Sequence, residues 1–265
     1  MSKKEKEKQI NISCVITTHK RDNFLKDAVY SVIEQTSPPI EIIIVNNFPN
    51  NHTQEVVNKI IEKSSIPINY LEHNMNGTGS ISANLGASKS NGEFIAFLND
   101  DDLWEKNYLE KMLILIAEKN SKISYAGTSK IKNGQKSPHK QLQNNLKMKD
   151  LILKNPGCQI SNLVVNKDLF IGLGGFDDYI IPSNDKDFLI RALYFGYKYN
   201  VLNEKLVIQN KHNDEQITDI NQEFLMGMKR FFRKHEWIAG PIIKIKFWIK
   251  YWKIFTKIIF KIKKM

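Results

Sequence analysis

Cysteine is scarce: Cys14 and Cys158 are the two in 265 residues, too few for a disulfide framework. No apolar stretch follows the charged opening MSKKEKEKQ, so nothing there reads as a secretory leader. Together these absences predict a reducing cytoplasm and free thiols. Glycine is missing from TTHKRDN, behind the first apolar run, where a phosphate loop would need it. No internal repeat is visible. Acid is missing altogether from residues 241–265, which hold eight lysines, while residues 1–8 add a net +2. The formal net charge of +11 therefore sits at the ends, and the long middle is nearly neutral. That distribution argues against a nucleic-acid partner for the body.

What is present describes a folded globular chain, 42% hydrophobic and 25% charged. ISCVITTH (12–19) and EIIIVNN (41–47) read as buried strands. Between them, Phe24, Leu25, Ala28, Val29, Val32 and Ile33 recur at the spacing of an amphipathic helix. TQEVVNKIIEKS predicts a second helix, INYLEH a short strand, residues 81–89 a third helix and EFIAFL a further strand. This alternation predicts an α/β protein with a mostly parallel, Rossmann-like sheet flanked by helices. Later, residues 105–119 read as a helix, KISYAGTSKI as a strand, KNGQKSPHKQLQNN as a polar surface loop and KYNVLNEKLVIQN as strands. The domain expected is 10–236, in two halves that divide at about 104. A charged segment (1–9) precedes it and a basic tail (237–265) follows.

Ligands in such sheets sit beyond the carboxyl ends of the strands. Three polar groups fall at those ends: Thr17-Thr18-His19, Asn46-Asn47 and Asp100-Asp101-Asp102. Clustered aspartates become tolerable when Mg²⁺ or Mn²⁺ neutralises them and bridges to a substrate's phosphates. The alternative is a solvated acidic turn or a helix N-terminus. A second acidic site, Asp185 and Asp187, opens the helix DKDFLIRALYFG. Those residues can cap the helix, with Asp187 and Arg191 pairing four apart, or one can accept a proton from a hydroxyl nucleophile. Trp104 is expected to pack over the base of the site. His52, His73, His139 and His235 lack metal-ligand spacing and read as surface residues.

CVITTHKRDNFLKDAVYSVIEQT, EIIIVNN, FLNDDDLW, GGFD and NDKDFLIR occur in the order and spacing of family 2 glycosyltransferases. Over roughly residues 10–220 the chain resembles that family, which implies the GT-A fold. The resemblance also implies transfer of a sugar, with inversion, from a nucleotide-sugar, commonly UDP-linked, with Mn²⁺ or Mg²⁺ as cofactor. It places Thr17, His19, Arg21, Asn47, Asp100 and Asp101 on the nucleotide-sugar. Metal contacts fall to Asp101, Asp102 and His212, and the catalytic base to Asp185. Gly175, Phe176 and Asp187 go to the acceptor side. The chain departs from the family at Asn46-Asn47, where two aspartates are usual, at Ala83, where arginine is common, and at Asn184, where glutamate is usual. A nucleotidyltransferase and an inactive GT-A-like binding protein remain alternatives.

In the tail, Lys246, Lys250, Lys253, Lys257, Lys261 and Lys264 line one face of a helix whose other faces are aromatic and aliphatic. Lysine interrupts the segment too often for a membrane span. The pattern suits the surface of an anionic bilayer, which would place the chain peripherally on the inner face of the cytoplasmic membrane with a glycan or lipid-linked acceptor. Packing on the body and oligomerisation through the apolar face are the other readings.

Overall fold

A computed structural model describes residues 10–75, 79–132, 134–139, 141–211 and 221–262. Its centre is a strand, β1 (Ile12–Thr18), in which all seven residues are buried. It pairs in parallel with β2 (Glu41–Asn46) on one side and β4 (Phe94–Asn99) on the other. β3 (Ile68–Glu72) extends the parallel set beyond β2. Burial on both faces is what an inner strand of a helix-covered parallel sheet requires, and it explains the unbroken apolar runs.

The alternation along β1 sorts the core into two layers. Ile12, Cys14 and Ile16 face α1 (Asp22–Ile33), α2 (Asn51–Ile61) and α4 (Tyr108–Lys119), with Leu25, Val29, Val57 and Met112 behind them. Val15, Ile43, Val45 and Phe97 face the opposite layer, with α3 (Gly79–Lys89), α6 (Lys167–Gly172) and α7 (Asn184–Tyr194). There Phe97, Phe170, Phe176 and Phe188 form one aromatic cluster, their rings 5.0–5.7 Å apart.

Past β4 the sheet changes character. β8 (Leu163–Asn166) lies antiparallel between β4 and β6 (Ile123–Lys132). β9 (Asn200–Lys211) runs parallel to β6, and β5 (Asp102–Trp104) pairs antiparallel with β9. β7 (Gln135–Pro138) folds back on β6. Nine strands thus form one sheet among the described residues, six of them in one direction. Two expectations are refined here. The helix expected from 105 begins at Tyr108, because Asp102–Trp104 is drawn into the sheet by β9. KYNVLNEKLVIQN is one strand whose register shifts against β6 around Gly127, not two strands.

The C-terminal helices close the structure. α5 (Asp150–Leu153) is a single turn, and α8 (Gln222–His235) packs so closely that a Cβ on Gly227 would stand 1.5 Å from the Ile181 carbonyl oxygen. α9 (Pro241–Ile262) is no detached tail. Phe247 is 2% exposed and stacks on Phe232 of α8, rings 3.8 Å apart, while Lys250 Nζ donates to the Leu153 carbonyl at 3.0 Å. Ile243, Tyr251 and Ile254 join the same core, and Ile258 is also buried. On the other side Ile242, Ile245, Ile249 and Trp252 are 51–66% exposed, beside a shallow groove of about 620 Å³. The apolar surface read from the sequence as one broad face is therefore two, and the exposed Lys246, Lys250, Lys253 and Lys257 run along the flank between them. No helix among the described residues is long and apolar enough to cross a membrane.

Candidate active site

Register aligns the ends of three strands: Thr17 lies beside Asn99, and Thr18 beside Asn46. The segments that follow β1, β2 and β4 therefore leave the sheet at one edge. Arg21, at the start of α1, reaches across it, with Nη1 3.1 Å from Asp100 Oδ1 and 3.0 Å from Asp101 Oδ2. A guanidinium, not only an ion from solution, is what makes neighbouring aspartates tolerable here.

The three aspartates are not equivalent. Asp100 is 3% exposed and also accepts from Thr18 Oγ1 (2.8 Å) and the His19 amide (3.1 Å). Burial raises its pKa to about 6, against the pull of Arg21. These contacts tie the end of β4 to β1, so Asp100, expected on the nucleotide, braces the site instead. Asp101 is the partly exposed member. Asp102 lies in β5, opposite Gln209 of β9, and accepts from Ser161 Oγ at 2.6 Å. Trp104 is not a cover over the site: it is 4% exposed, donates Nε1–H to the Ser161 carbonyl at 2.8 Å, and packs on Tyr108.

At the same edge His19 Nδ1 lies 2.7 Å from Asn47 Oδ1, its ring set edge-on to Phe48, over which Lys20 Nζ stands at 4.1 Å. Asn46, by contrast, is fully buried, donating to Tyr70 Oη (2.9 Å) and accepting from the Phe48 amide (2.9 Å). Thr17 is 9% exposed, with Oγ1 3.5 Å from Asn99 Oδ1.

Asp185 occupies the first turn of α7. Asn155 Nδ2 donates to its Oδ2 at 2.8 Å, and the Lys186 amide to its Oδ1 at 2.7 Å. Burial raises its pKa to about 6, with Lys186 opposing. A carboxylate with that pKa accepts a proton readily near neutrality. Asn184, beside it, donates to Ser80 Oγ at 2.5 Å, joining the starts of α7 and α3.

The residues expected on the acceptor side are scaffold. Phe176 is 1% exposed inside the aromatic cluster. Gly175 is buried at φ +64°, where a Cβ would meet Asn84 Oδ1 at 2.4 Å. Asn84 closes that turn by accepting from the Phe176 amide (2.9 Å) and donating to its carbonyl (2.8 Å), and Arg191 donates to the Leu173 and Gly175 carbonyls. Asp187 is wholly buried, and Arg191 Nε (2.8 Å), Lys234 Nζ (2.8 Å) and His235 Nε2 (2.7 Å) surround it. Burial alone would raise its pKa, but His235, Arg191 and Lys234 outweigh that and hold it at about 2. His235 is thus a buried residue, not a surface one, and His73 is half-buried with Nε2 2.9 Å from Ser82 Oγ. His212 lies outside the described residues. Asn155 in a loop, Ser161 in a short 3-10 turn and Asn84 in α3 escaped the sequence reading, since a lone polar residue carries no periodic signal.

The model of the family described as Glycosyl transferase family 2 matches residues 13–172. The chain belongs to glycosyltransferase family 2. A Bacillus subtilis (strain 168) protein named for teichuronic acid biosynthesis, TuaG, is 31% identical over 44% of this chain and 46% of its own length. An uncharacterized glycosyltransferase of Haemophilus influenzae is 25% identical over 71% of this chain and 65% of its own. One of Rickettsia felis is 31% identical over 91% of this chain and 42% of its own. The chain therefore spans less than two thirds of each of these relatives. Among solved structures, residues 1–349 of S. aureus TarS, in complex with UDP-GlcNAc, align with TM-score 0.68 and 18% identity over 85% of this chain and 66% of that one. At that identity the likeness is one of fold, and the curled, mostly parallel sheet between helices is the GT-A fold of this glycosyltransferase family.

No group of three His, Cys, Asp or Glu side chains among the described residues could hold a metal ion by itself. Asp101, partly exposed and paired with Arg21, and Asp102, buried against Ser161, follow one another in sequence. One or two carboxylates are the donor number Mg²⁺ takes from protein when substrate phosphates complete its shell. The donor set thus fits an ion shared with a diphosphate, not one caged by the protein.

Proposed function

We propose that this family 2 glycosyltransferase moves a sugar from a nucleotide-diphosphate sugar, with UDP as the nucleotide, to a hydroxyl of a glycan or lipid-linked acceptor in bacterial surface polysaccharide or lipooligosaccharide synthesis. The observation that carries the reading is the meeting of Thr17, His19, Arg21, Asn47 and Asp101 at one sheet edge in a chain that also starts a helix with Asp185. Asn47 and His19 offer hydrogen-bonding groups to a base, and Arg21 offers positive charge near the acids. Asp101 and Asp102 would hold Mn²⁺ or Mg²⁺ against the diphosphate, where the ion's charge would stabilise the leaving group. Asp185 takes the proton of the attacking hydroxyl, and a single displacement from the face opposite the diphosphate inverts the anomeric carbon. A TarS structure holding UDP-GlcNAc supports the nucleotide choice, and the TuaG name the surface polysaccharide.

The same reading puts the protein on the inner face of the cytoplasmic membrane. A helix that exposes four large apolar side chains beside a lysine flank suits an anionic bilayer. An eight-lysine, acid-free segment would repel a second copy of itself.

Thermal unfolding with UDP, GDP, CDP and TDP, each with and without Mn²⁺, tests the donor site. A ligand at a hundred times its Kd stabilises by about 2.7 kcal/mol. UDP should raise Tm, and more so with Mn²⁺; no shift with any pair would end the reading.

A further inference from the structure

Asp185 is seated by a segment that belongs to no strand and no helix. Asn155, in KNPGC, turns its carbonyl Oδ1 inward, where it accepts from the Gly157 amide at 2.8 Å and from Cys158 Sγ at 3.5 Å. Its amide nitrogen is thereby aimed the other way, donating to the Cys158 carbonyl and to Asp185 Oδ2, both at 2.8 Å. The orientation of the amide is set by its own loop, so the face shown to Asp185 is fixed as a donor. Among the described residues, the other charged or titratable groups beside the carboxylate are Lys186 on α7, Cys158 and, from β6, Tyr125. Burial holds both the Cys158 thiol and the Tyr125 phenol in their neutral forms.

We propose that Asn155 is a positioning residue for Asp185, fixing the rotamer of its carboxylate and stabilising the ionised form that accepts the acceptor's proton. This rests on the reading of Asp185 as the base. A neutral donor suits the task better than a cation: a full ion pair such as that around Asp187 would leave the carboxylate too weak a base. An unassisted buried carboxylate would stay protonated and could accept nothing.

Two substitutions separate this role from a purely structural one. Asn155→Asp keeps an acceptor for the Gly157 amide, because aspartate closes such turns as asparagine does. It replaces the donor facing Asp185 with a second carboxylate. Asn155→Ala removes the donor and the turn together. The ¹³C resonance of the Asp185 carboxyl, assigned by its loss in Asp185→Asn, is titrated in each protein. Nucleotide release is measured with the sugar nucleotide selected by the ligand panel. In Asn155→Asp we expect folding to be retained, the midpoint to rise by about one pH unit or more, and turnover to fall on the order of a hundredfold with donor KM unchanged. In Asn155→Ala the midpoint rises less. An unmoved midpoint in Asn155→Asp, or wild-type turnover in it, overturns the proposal. Wild-type turnover in Asp185→Asn instead removes the base beneath it, a failure the titration tells apart.

Discussion

The strand-end triplet and the first turn of α7 are two acidic regions built to opposite electrostatic plans. At the strand ends the buried acid, Asp100, faces one guanidinium and neutral donors, and burial keeps its pKa at about 6. On α7 the more deeply buried acid, Asp187, faces Arg191, Lys234 and His235 and is held at about 2. Two residues before it, Asp185 accepts from a neutral amide where Asp187 has the direct ion pairs to Arg191 and Lys234, and with Lys186 opposing burial it lies at about 6. Burial therefore does not decide what an aspartate does; the charge of the side chains bonded directly to it does. An acid with several cations becomes a rivet, and one with a neutral donor keeps a usable proton affinity.

The largest test of that contrast is Asp185→Asn. Removing a general base should cut turnover by about 10²–10⁴-fold while UDP binding, read by thermal shift, is unchanged. In the unmodified enzyme, turnover should rise with pH through about 6, because the base works only when ionised. A pH-independent rate would break the comparison. Asp187→Ala is next. It leaves the partly buried Arg191 without its carboxylate and the buried His235 without its partner, and should cost about 3 kcal/mol, measured by denaturant unfolding.

The Asp187 network also has a pH signature. Its folded pKa lies below the unfolded value, so its stabilisation is complete above about 4 and is lost as pH falls towards 2. From the size of the shift, that loss is about 2 kcal/mol, and it should vanish from the acid unfolding curve of Asp187→Asn. The smallest effect concerns α9. Ile249→Glu on its outward face should leave unfolding within about 0.5 kcal/mol of wild type. It should lower co-sedimentation with anionic phosphatidylglycerol vesicles several-fold, and unchanged co-sedimentation would remove the outward face from the membrane reading.

How much of this was legible depended on what each signal encodes. Strands β1, β2 and β4 and helices α1 and α2 could be read because their burial repeats at fixed periods. The strand-end residues followed from topology. A run of three aspartates could not be ranked, because which carboxylate turns inward depends on Arg21 and Thr18 approaching from β1 and α1, 79–82 positions away in sequence. GGFD was legible as a glycine turn, yet Phe176 and Gly175 serve its interior, because Asn84 and Arg191 hold the turn from behind. Periodicity found the helix of α9. It could not divide the apolar surface, since only Phe232 on α8 says which side faces in.

Phe247 of α9 rests on Phe232 of α8, and two and three residues further along α8 Lys234 and His235 grip Asp187, one half-turn from Asp185. These contacts make a load path from the last helix to the candidate base. Cutting the chain at residue 240 would not trim an appendage. It would remove the ring that Phe232 stacks on, and with it part of the packing that seats α8, and so Lys234 and His235, against Asp187.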